Sequence, residues 1–332
     1  MKLLSIIVPN EQSNMSTIAC IVGTLQLFNE ANNLRVKQHK QALFKVILVG
    51  ADLNNAVHSD MLFVKPSHAI SSISKTDLIV IPATNIKSYE TATKGNKLLI
   101  QWIAQQYNLG AEVASMCIGS FMLASTGLLN GKTCSTHWAL TEQFKLLHPE
   151  VNLKPDKLIT DEHGIYTNGG AYSFLNLLLY LIEKFYDRAT AVHCAKYFQI
   201  DIDRNRQSEF SIFNGHKQHQ DDDILKAQIH IELNYQDKIS MEALSQQLNI
   251  GRRNFDRRFI KATGLSPLEY LQRVRIEAAK RMFETSRKTV SEVMFDTGYS
   301  DNKAFRELFG RFTGLSPLEY KTKYNRERAM ML

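Results

Sequence analysis
The chain has 332 residues, enough for two or three domains with cores of their own, and its 44% apolar and 22% charged content is that of a globular protein rather than a disordered or fibrous one. Its net charge of +7 is unevenly placed: from Gly251 onward 18 basic residues face 10 acidic ones, while the preceding 250 residues carry 22 basic and 23 acidic, so a polyanion is expected at the last quarter. The absence of any run of about 18 apolar residues argues against a membrane-spanning helix. Cys20, Cys117, Cys134 and Cys194 lack CxxC spacing, and the first ten residues read as a strand rather than a secretion signal, which together imply a reducing cytoplasm.

Residues 3–8, 43–49, 78–81 and 113–116 read as strands, with helices expected over 18–31, 94–106 and 118–128 and two more over 173–186 and 189–198. This alternation predicts an α/β domain with a mostly parallel sheet over residues 1–200. The polar stretch 201–223 reads as a linker, with Asn205, Asn214, Gly215 and the acidic run Asp221 to Asp223. His216 and His219 beside that run could hold a metal, but a solvated polar segment is the reading adopted, so no metal and no cofactor is expected. The aromatic stretch 172–186 is read as a packed helix.

Within the first domain, Ser115-Met116-Cys117-Ile118-Gly119 is predicted to leave a strand and open a helix, with small residues two before and two after the cysteine. This is a nucleophile-elbow pattern with Cys in the place of Ser: a helix N-terminus favours a thiolate, and the Ile118 amide could face an oxyanion. His137, twenty residues on, is a candidate base or a residue that packs beside Trp138. For Cys117 three roles stay open: lining a ligand pocket or responding to oxidants, packing as an inert apolar residue, and nucleophilic attack. Asn168-Gly169-Gly170 reads as a turn before a helix, or as a wall of the same pocket.

From residue 224 onward the pattern is all helical, and an octapeptide, Thr-Gly-Leu-Ser-Pro-Leu-Glu-Tyr, occurs twice, starting at Thr263 and at Thr313. Each copy predicts a helix ended by Gly264 or Gly314 and a new one begun by an N-cap Ser, Pro at the first helical position and Glu at the third. Ser240 and Thr289 are further N-caps. Two helix-turn-helix units follow, 241–248 with 252–262 and 290–296 with 302–312, their turns carrying Asn249 and Gly298, residues that tolerate positive φ. The repeats lie 49 residues apart before the turn and 50 after it, so the second turn is one residue longer. Leu268, Leu271, Val274, Ala278 and Met282 suggest one connecting helix, about 25 Å long at 1.5 Å per residue, which would suit second helices set about 34 Å apart in successive major grooves. Phe255 with Phe259 and Phe305 with Phe309 mark the apolar faces of these helices. The opposite faces carry Arg252, Arg253, Asp256 and Arg257 in the first unit and Asn302, Lys303, Arg306 and Glu307 in the second, groups that can bond to base edges and phosphates.

The segment from about 224 to 324, above all FIKATGLSPLEYLQRVRIEAAKRM and GYSDNKAFRELFGRFTGLSPLEY, resembles the AraC/XylS family of transcription regulators, in which two helix-turn-helix units joined by a long helix bind DNA. That resemblance implies base reading by Arg253, Asp256 and Arg257 and by Asn302, Lys303 and Glu307, with Glu307 departing from the commoner basic or polar choice. The stretch VASMCIGSFMLASTGLLNGKTCSTHW is similar to the elbow-to-histidine segment of the PfpI-like, class I glutamine-amidotransferase-like superfamily, a likeness covering about residues 1–195. It implies a flavodoxin-like three-layer sandwich and the sensor domain that some AraC regulators carry. Enzymes of that superfamily commonly place a carboxylate in the helix after the first strand, where this chain has none between Glu11 and Glu30. They also carry a glycine-rich turn where this chain has Pro82-Ala83-Thr84. Losing both weakens catalysis. The expected molecule is therefore a cytoplasmic, sequence-specific transcription regulator and not an enzyme: a sensor domain over 1–200, a linker over 201–223 and a DNA-binding domain over 224–332. Its expected partners are double-stranded DNA, a small-molecule effector, a second copy of the chain and RNA polymerase, with no membrane. The competing reading is a PfpI-type cysteine hydrolase or amidase with a DNA-binding tail.

Overall fold
The computed structural model describes residues 1–10, 15–54, 57–58, 62–84, 93–202, 207–217 and 219–325; Glu11 and Asn205 lie outside them. It divides into two units, Met1–Gln207 and Ser208–Leu332. No helix among the described residues is long and apolar enough to cross a membrane.

In the first unit the strands are β1 (Lys2–Ile7), β2 (Phe44–Gly50), β3 (Val57–His58), β4 (Phe63–Val64), β5 (His68–Ala69), β6 (Leu78–Ile81), β7 (Glu112–Met116), β8 (Thr133–Cys134), β9 (Asn152–Leu153), β10 (Ile159–Glu162) and β11 (Ile165–Asn168). Seven of them form one sheet in the order β10-β11-β7-β6-β1-β2-β5. Every pairing in it is parallel except β10 against β11. The run Leu-Ile-Val-Ile of β6 is buried at every residue, as a central parallel strand covered on both faces must be. On one face lie helices α1 (Met15–Lys37), α5 (Phe174–Phe185) and α6 (Arg188–Phe198), over a core that includes Ile21, Phe28, Phe44, Leu178 and Ile182. On the other lie α2 (Lys97–Asn108), α3 (Ser120–Ser125) and α4 (Thr141–Leu147), around Leu99, Ile103, Phe121 and Phe144. The result is the mostly parallel sheet that the alternating pattern predicts, set in the three-layer sandwich that the resemblance implies. Residues 172–186 are largely taken up by the packed helix α5, with Gly23 of α1 leaving room for the Phe174 ring.

The second unit is helical: α7 (Asp222–Leu233), α8 (Met241–Gln247), α9 (Arg252–Thr263), α10 (Pro267–Thr285), α11 (Val290–Asp296), α12 (Asn302–Thr313) and α13 (Pro317–Tyr324). Asn249 and Gly298 do adopt positive φ, 54° and 80°. Gly264 and Gly314 close α9 and α12 in the left-handed conformation. Ser240, Ser266, Thr289 and Ser316 each cap a helix through the side-chain oxygen. Two cores result. One gathers Ile224, Ile231, Leu244, Phe255, Phe259 and Tyr270; the other gathers Ile276, Phe283, Val293, Phe305, Phe309 and Tyr320.

Three expectations need correction. The connecting helix α10 has 19 residues, about 28 Å at 1.5 Å per residue, and its buried positions are Tyr270, Leu271, Ile276, Ala279 and Phe283 among others, whereas Leu268 is exposed. A helix that serves a core at each end buries two faces, so a single stripe misplaces its contacts. The stretch 201–223 is not a free linker: Asn176 bonds the Asp201 carbonyl, Gln207 is buried in the first unit, and Phe213 packs on Tyr270 in the second. Nor is the acidic run merely solvated. Asp221 caps α7 and, with Asp223, holds Arg258 of α9, while His219 pairs with Gln228 at 2.8 Å.

The two leucines of the octapeptide's Ser-Pro-Leu-Glu tetrad, Leu268 and Leu318, are 57% and 59% exposed, whereas Phe309 is fully buried. Phe309→Ala is therefore expected to cost about 3–5 kcal/mol in urea unfolding, against less than about 0.5 kcal/mol for Leu318→Ala.

Candidate nucleic-acid interface and the Cys117 elbow
Helix α9 turns Phe255 and Phe259 inward, their rings 5.7 Å apart, and leaves Arg253 and Arg257 in solvent. Arg252 and Asp256 are half-buried and joined at 3.0 Å; the other Asp256 oxygen is buried with no hydrogen-bond partner. Arg257 donates to the side-chain oxygen Oδ1 of Asn254 at 2.9 Å. Arg258, which sequence reasoning passed over, forms a fork on Asp221 and a further bond to Asp223. That guanidinium holds the Asp221 carboxyl below its usual range. The only advance signal for this pairing was the acidic run itself.

Helix α12 repeats the geometry with different chemistry. Phe305 and Phe309 point inward at 5.8 Å, and Asn302, Lys303, Arg306 and Glu307 are all exposed. None of these four side chains forms a hydrogen bond or ion pair among the described residues. Asp301 caps this helix, accepting from the Lys303 and Ala304 amides at 2.8 and 3.2 Å, where α9 has Gly251 without a side-chain cap. With five basic residues against one acidic, α9 is the more positive helix; α12 has three against one.

In the first unit Cys117 follows β7 with φ of 53°, the strained conformation of an elbow. The following turn is a short 3-10 segment, Cys117–Gly119, before the six-residue α3. Asn168 at the end of β11 accepts from the Cys117 amide at 3.0 Å and donates to Ser173. Ser120 bonds both the Cys117 carbonyl and Thr136. Gly119 lies so close to the 81–82 backbone that an added Cβ would sit 2.5 Å from the Pro82 carbonyl. Asn168 is thus the elbow's anchor as well as the start of a turn, a role that only the strand order reveals.

The thiolate expected from a helix N-terminus is not favoured. Cys117 is 5% exposed in the same apolar cluster as Cys20, and burial pushes its thiol up to about 12, outweighing a helix of six residues. Burial raises the Cys20 thiol to about 12 as well, with the Ala83 backbone opposing and nearby Cys117 adding to the rise. Ile118 packs against both cores of the unit. His137 is engaged elsewhere: its Nδ1 accepts from the Ala139 amide at 3.2 Å, its ring lies 5.2 Å from that of Trp138, and burial lowers its pKa. No hydrogen bond joins it to Cys117 among the described residues.

Beside the elbow sits a group that no sequence signal marks. The Gln207 carboxamide donates to the Thr136 carbonyl at 3.0 Å and lies within 3.3 Å of the Ser135 hydroxyl and the Lys157 carbonyl. A Cβ on Gly169 would fall 2.0 Å from its nitrogen, so this socket exists only with glycine there.

Residues 23–184 match the DJ-1/PfpI family and residues 244–323 a helix-turn-helix domain family. The chain is 22% identical over 299 residues to the HTH-type transcriptional regulator GbdR of Pseudomonas aeruginosa, covering 89% of this chain and 79% of that one. It is 23% identical over 214 residues to the HTH-type transcriptional regulator GlxA of Rhizobium meliloti, covering 61% and 64%. Among solved structures, one from Vibrio parahaemolyticus, assigned as a transcriptional regulator, superposes with a TM-score of 0.52 at 19% identity over 59% of this chain and 98% of its own, a likeness of fold alone. A PfpI-like sandwich followed by two helix-turn-helix units places this chain in the AraC/XylS family of DNA-binding transcription regulators.

Proposed function
We propose that the chain reads DNA through α9 and α12 and that its first unit senses rather than catalyses. The observation that carries the first half is the repeated helix with two buried phenylalanines on one side and solvent-facing polar side chains on the other. Arg253, Arg257, Asn302, Lys303, Arg306 and Glu307 are the groups offered to the duplex, while Arg252 and Asp256 serve mainly to brace one another, since one Asp256 oxygen is in the ion pair and the other is buried. Arg258 keeps α9 seated on α7. In α12 Glu307 stands where α9 has Arg257, so the first helix supplies the stronger attraction for phosphates. Control by a small molecule through the first unit, pairing with a second copy, contact with RNA polymerase and a place in the cytoplasm complete this reading.

The sensing half rests on the sealed elbow. Burial disfavours the Cys117 thiolate, and His137 takes the Ala139 amide rather than the thiol among the described residues. Cys117 and Ile118 then serve as packed remnants of an elbow, and Cys20 as the plug where a carboxylate would stand. The competing hydrolase reading requires multiple-turnover cleavage of an amide or ester that Cys117→Ser abolishes.

Two outcomes are expected. In salt titrations of the full chain on duplex DNA, affinity should fall steeply with ionic strength, and Arg257→Ala should cost about 1–3 kcal/mol on the preferred site while relaxing choice at one base position. Equal weakening on specific and random DNA would make Arg257 a phosphate anchor instead. In thiol labelling at about pH 8 the native chain should react slowly and the urea-unfolded chain at all four cysteines. Because Cys20, Cys117 and Cys134 are raised from 9.0 to about 12, the stability tied to keeping them neutral is complete below pH 9 and is lost as pH climbs towards 12. Fast native labelling of Cys117 at neutral pH would reopen the catalytic reading.

A further inference from the structure
Away from the elbow, β10, α5 and the segment ending at Ile202 enclose a half-open cavity of about 310 Å³, at the small end of the range that holds metabolites. Its floor is apolar, with Leu158 and Leu179 buried and Ile202 alongside. Its lining also carries both signs of charge, Asp161 and Glu183 with Arg188. In the structure these charges are satisfied by neighbours, Lys184 and the Tyr180 hydroxyl on Asp161 at 2.9 and 2.6 Å and Arg188 on Glu183 at 2.7 Å. The Arg188 and Glu183 side chains are 58% and 41% exposed, and exposed pairs of this kind hold together weakly, so they can open for a ligand at little cost.

We propose that this cavity is the effector site and that its ligand is a small zwitterion of amino-acid size, the carboxylate taken by Arg188, the ammonium by Asp161 with Glu183, and the apolar part laid on Leu158, Leu179 and Ile202. The inference rests on the sensor reading above and gives it a location and a ligand class. A rim of one sign would select an anion or a cation; a rim of both signs over an apolar floor fits a molecule that carries both. The site also touches the chain's way out of the first unit. Asn176, another wall residue, holds the Asp201 carbonyl at 2.6 Å, and further along the same segment Gln207 is plugged beside the elbow. Occupancy of the cavity therefore bears on a stretch anchored at both ends, which is what an effector needs if it is to bias one arrangement over another.

The test is the melting temperature of the full-length chain with each standard free L-amino acid in turn, with succinate and putrescine as single-sign controls. At least one amino acid should raise it by about 5 °C at roughly 100 times its Kd, neither control should, and both Asp161→Asn and Arg188→Ala should remove the shift. DNA binding by the same preparations is measured in parallel. A variant that binds DNA as before but has lost the ligand shift supports the site. No shift with any amino acid, or one that survives both substitutions, overturns it. Loss of DNA binding in the unaltered chain would instead strike the regulator reading, and the ligand shift could still be read.

Discussion
The second unit hangs on one joint used twice. In each copy a buried tyrosine ring meets the second phenylalanine of the preceding helix edge-on, Tyr270 with Phe259 at 5.3 Å and Tyr320 with Phe309 at 5.4 Å. Its hydroxyl, which cannot stay unpaired in an apolar core, reaches a glutamate on an earlier helix, Glu232 or Glu284. The rest of the octapeptide serves that contact. Thr263 and Thr313 bond back to the Phe259 and Phe309 carbonyls at 2.7 Å, the following glycine turns the chain at positive φ, and the serine caps the next helix. With the phenylalanine side of α9 or α12 locked inward, its polar side is held outward in one orientation, so the DNA-facing groups are positioned by a hydrophobic constraint they do not touch.

The first unit holds the backbone device of an elbow inside a buried core. Cys117 retains the strained φ of an elbow, and Asn168, Ser120 and Thr136 satisfy the polar groups around it. Strain of that kind costs on the order of 1–3 kcal/mol and persists where the surroundings fix it. Here they also exclude solvent: Gly119 is pressed against the Pro82 carbonyl, and Cys20 shares the apolar cluster. Desolvation then decides the thiol's state, because a six-residue helix preceded by a 3-10 turn has little dipole to offer against it.

What could be read from the sequence follows how local each signal is. The N-caps, the Ser-Pro-Leu-Glu starts, the positive-φ turn residues and the inward phenylalanines depend on neighbours within four or five positions, and all appear where the pattern puts them. β6 was legible to its ends because a continuous apolar run bounded by Asp77 and Pro82 has few other uses. The antiparallel β10 against β11 was missed: Thr160 and Thr167 look like loop residues until they bond across the hairpin at 2.6 Å. Gln207 and Arg258 were invisible for the same reason, since their partners lie 35 to 72 positions away. For Cys117 the helix end is a local feature that sequence shows, whereas the burial that raises its pKa is not local.

The chain between the units is more tightly held than its composition suggests, and the means differ at its two ends. Gln207 is fixed by hydrogen bonds and by the missing side chain of Gly169, contacts that a modest rearrangement beside Thr136 would undo. On the second unit, Lys280 and Glu277 of α10 form an ion pair at 2.9 Å that is almost wholly buried, and they spend their remaining capacity on the backbone at Ser211 and Phe213. Breaking one partner of such a pair strands a buried charge, a loss of about 3–5 kcal/mol. The stretch is thus firmly attached where it joins the helix linking the two DNA-reading cores, and more lightly attached beside the elbow.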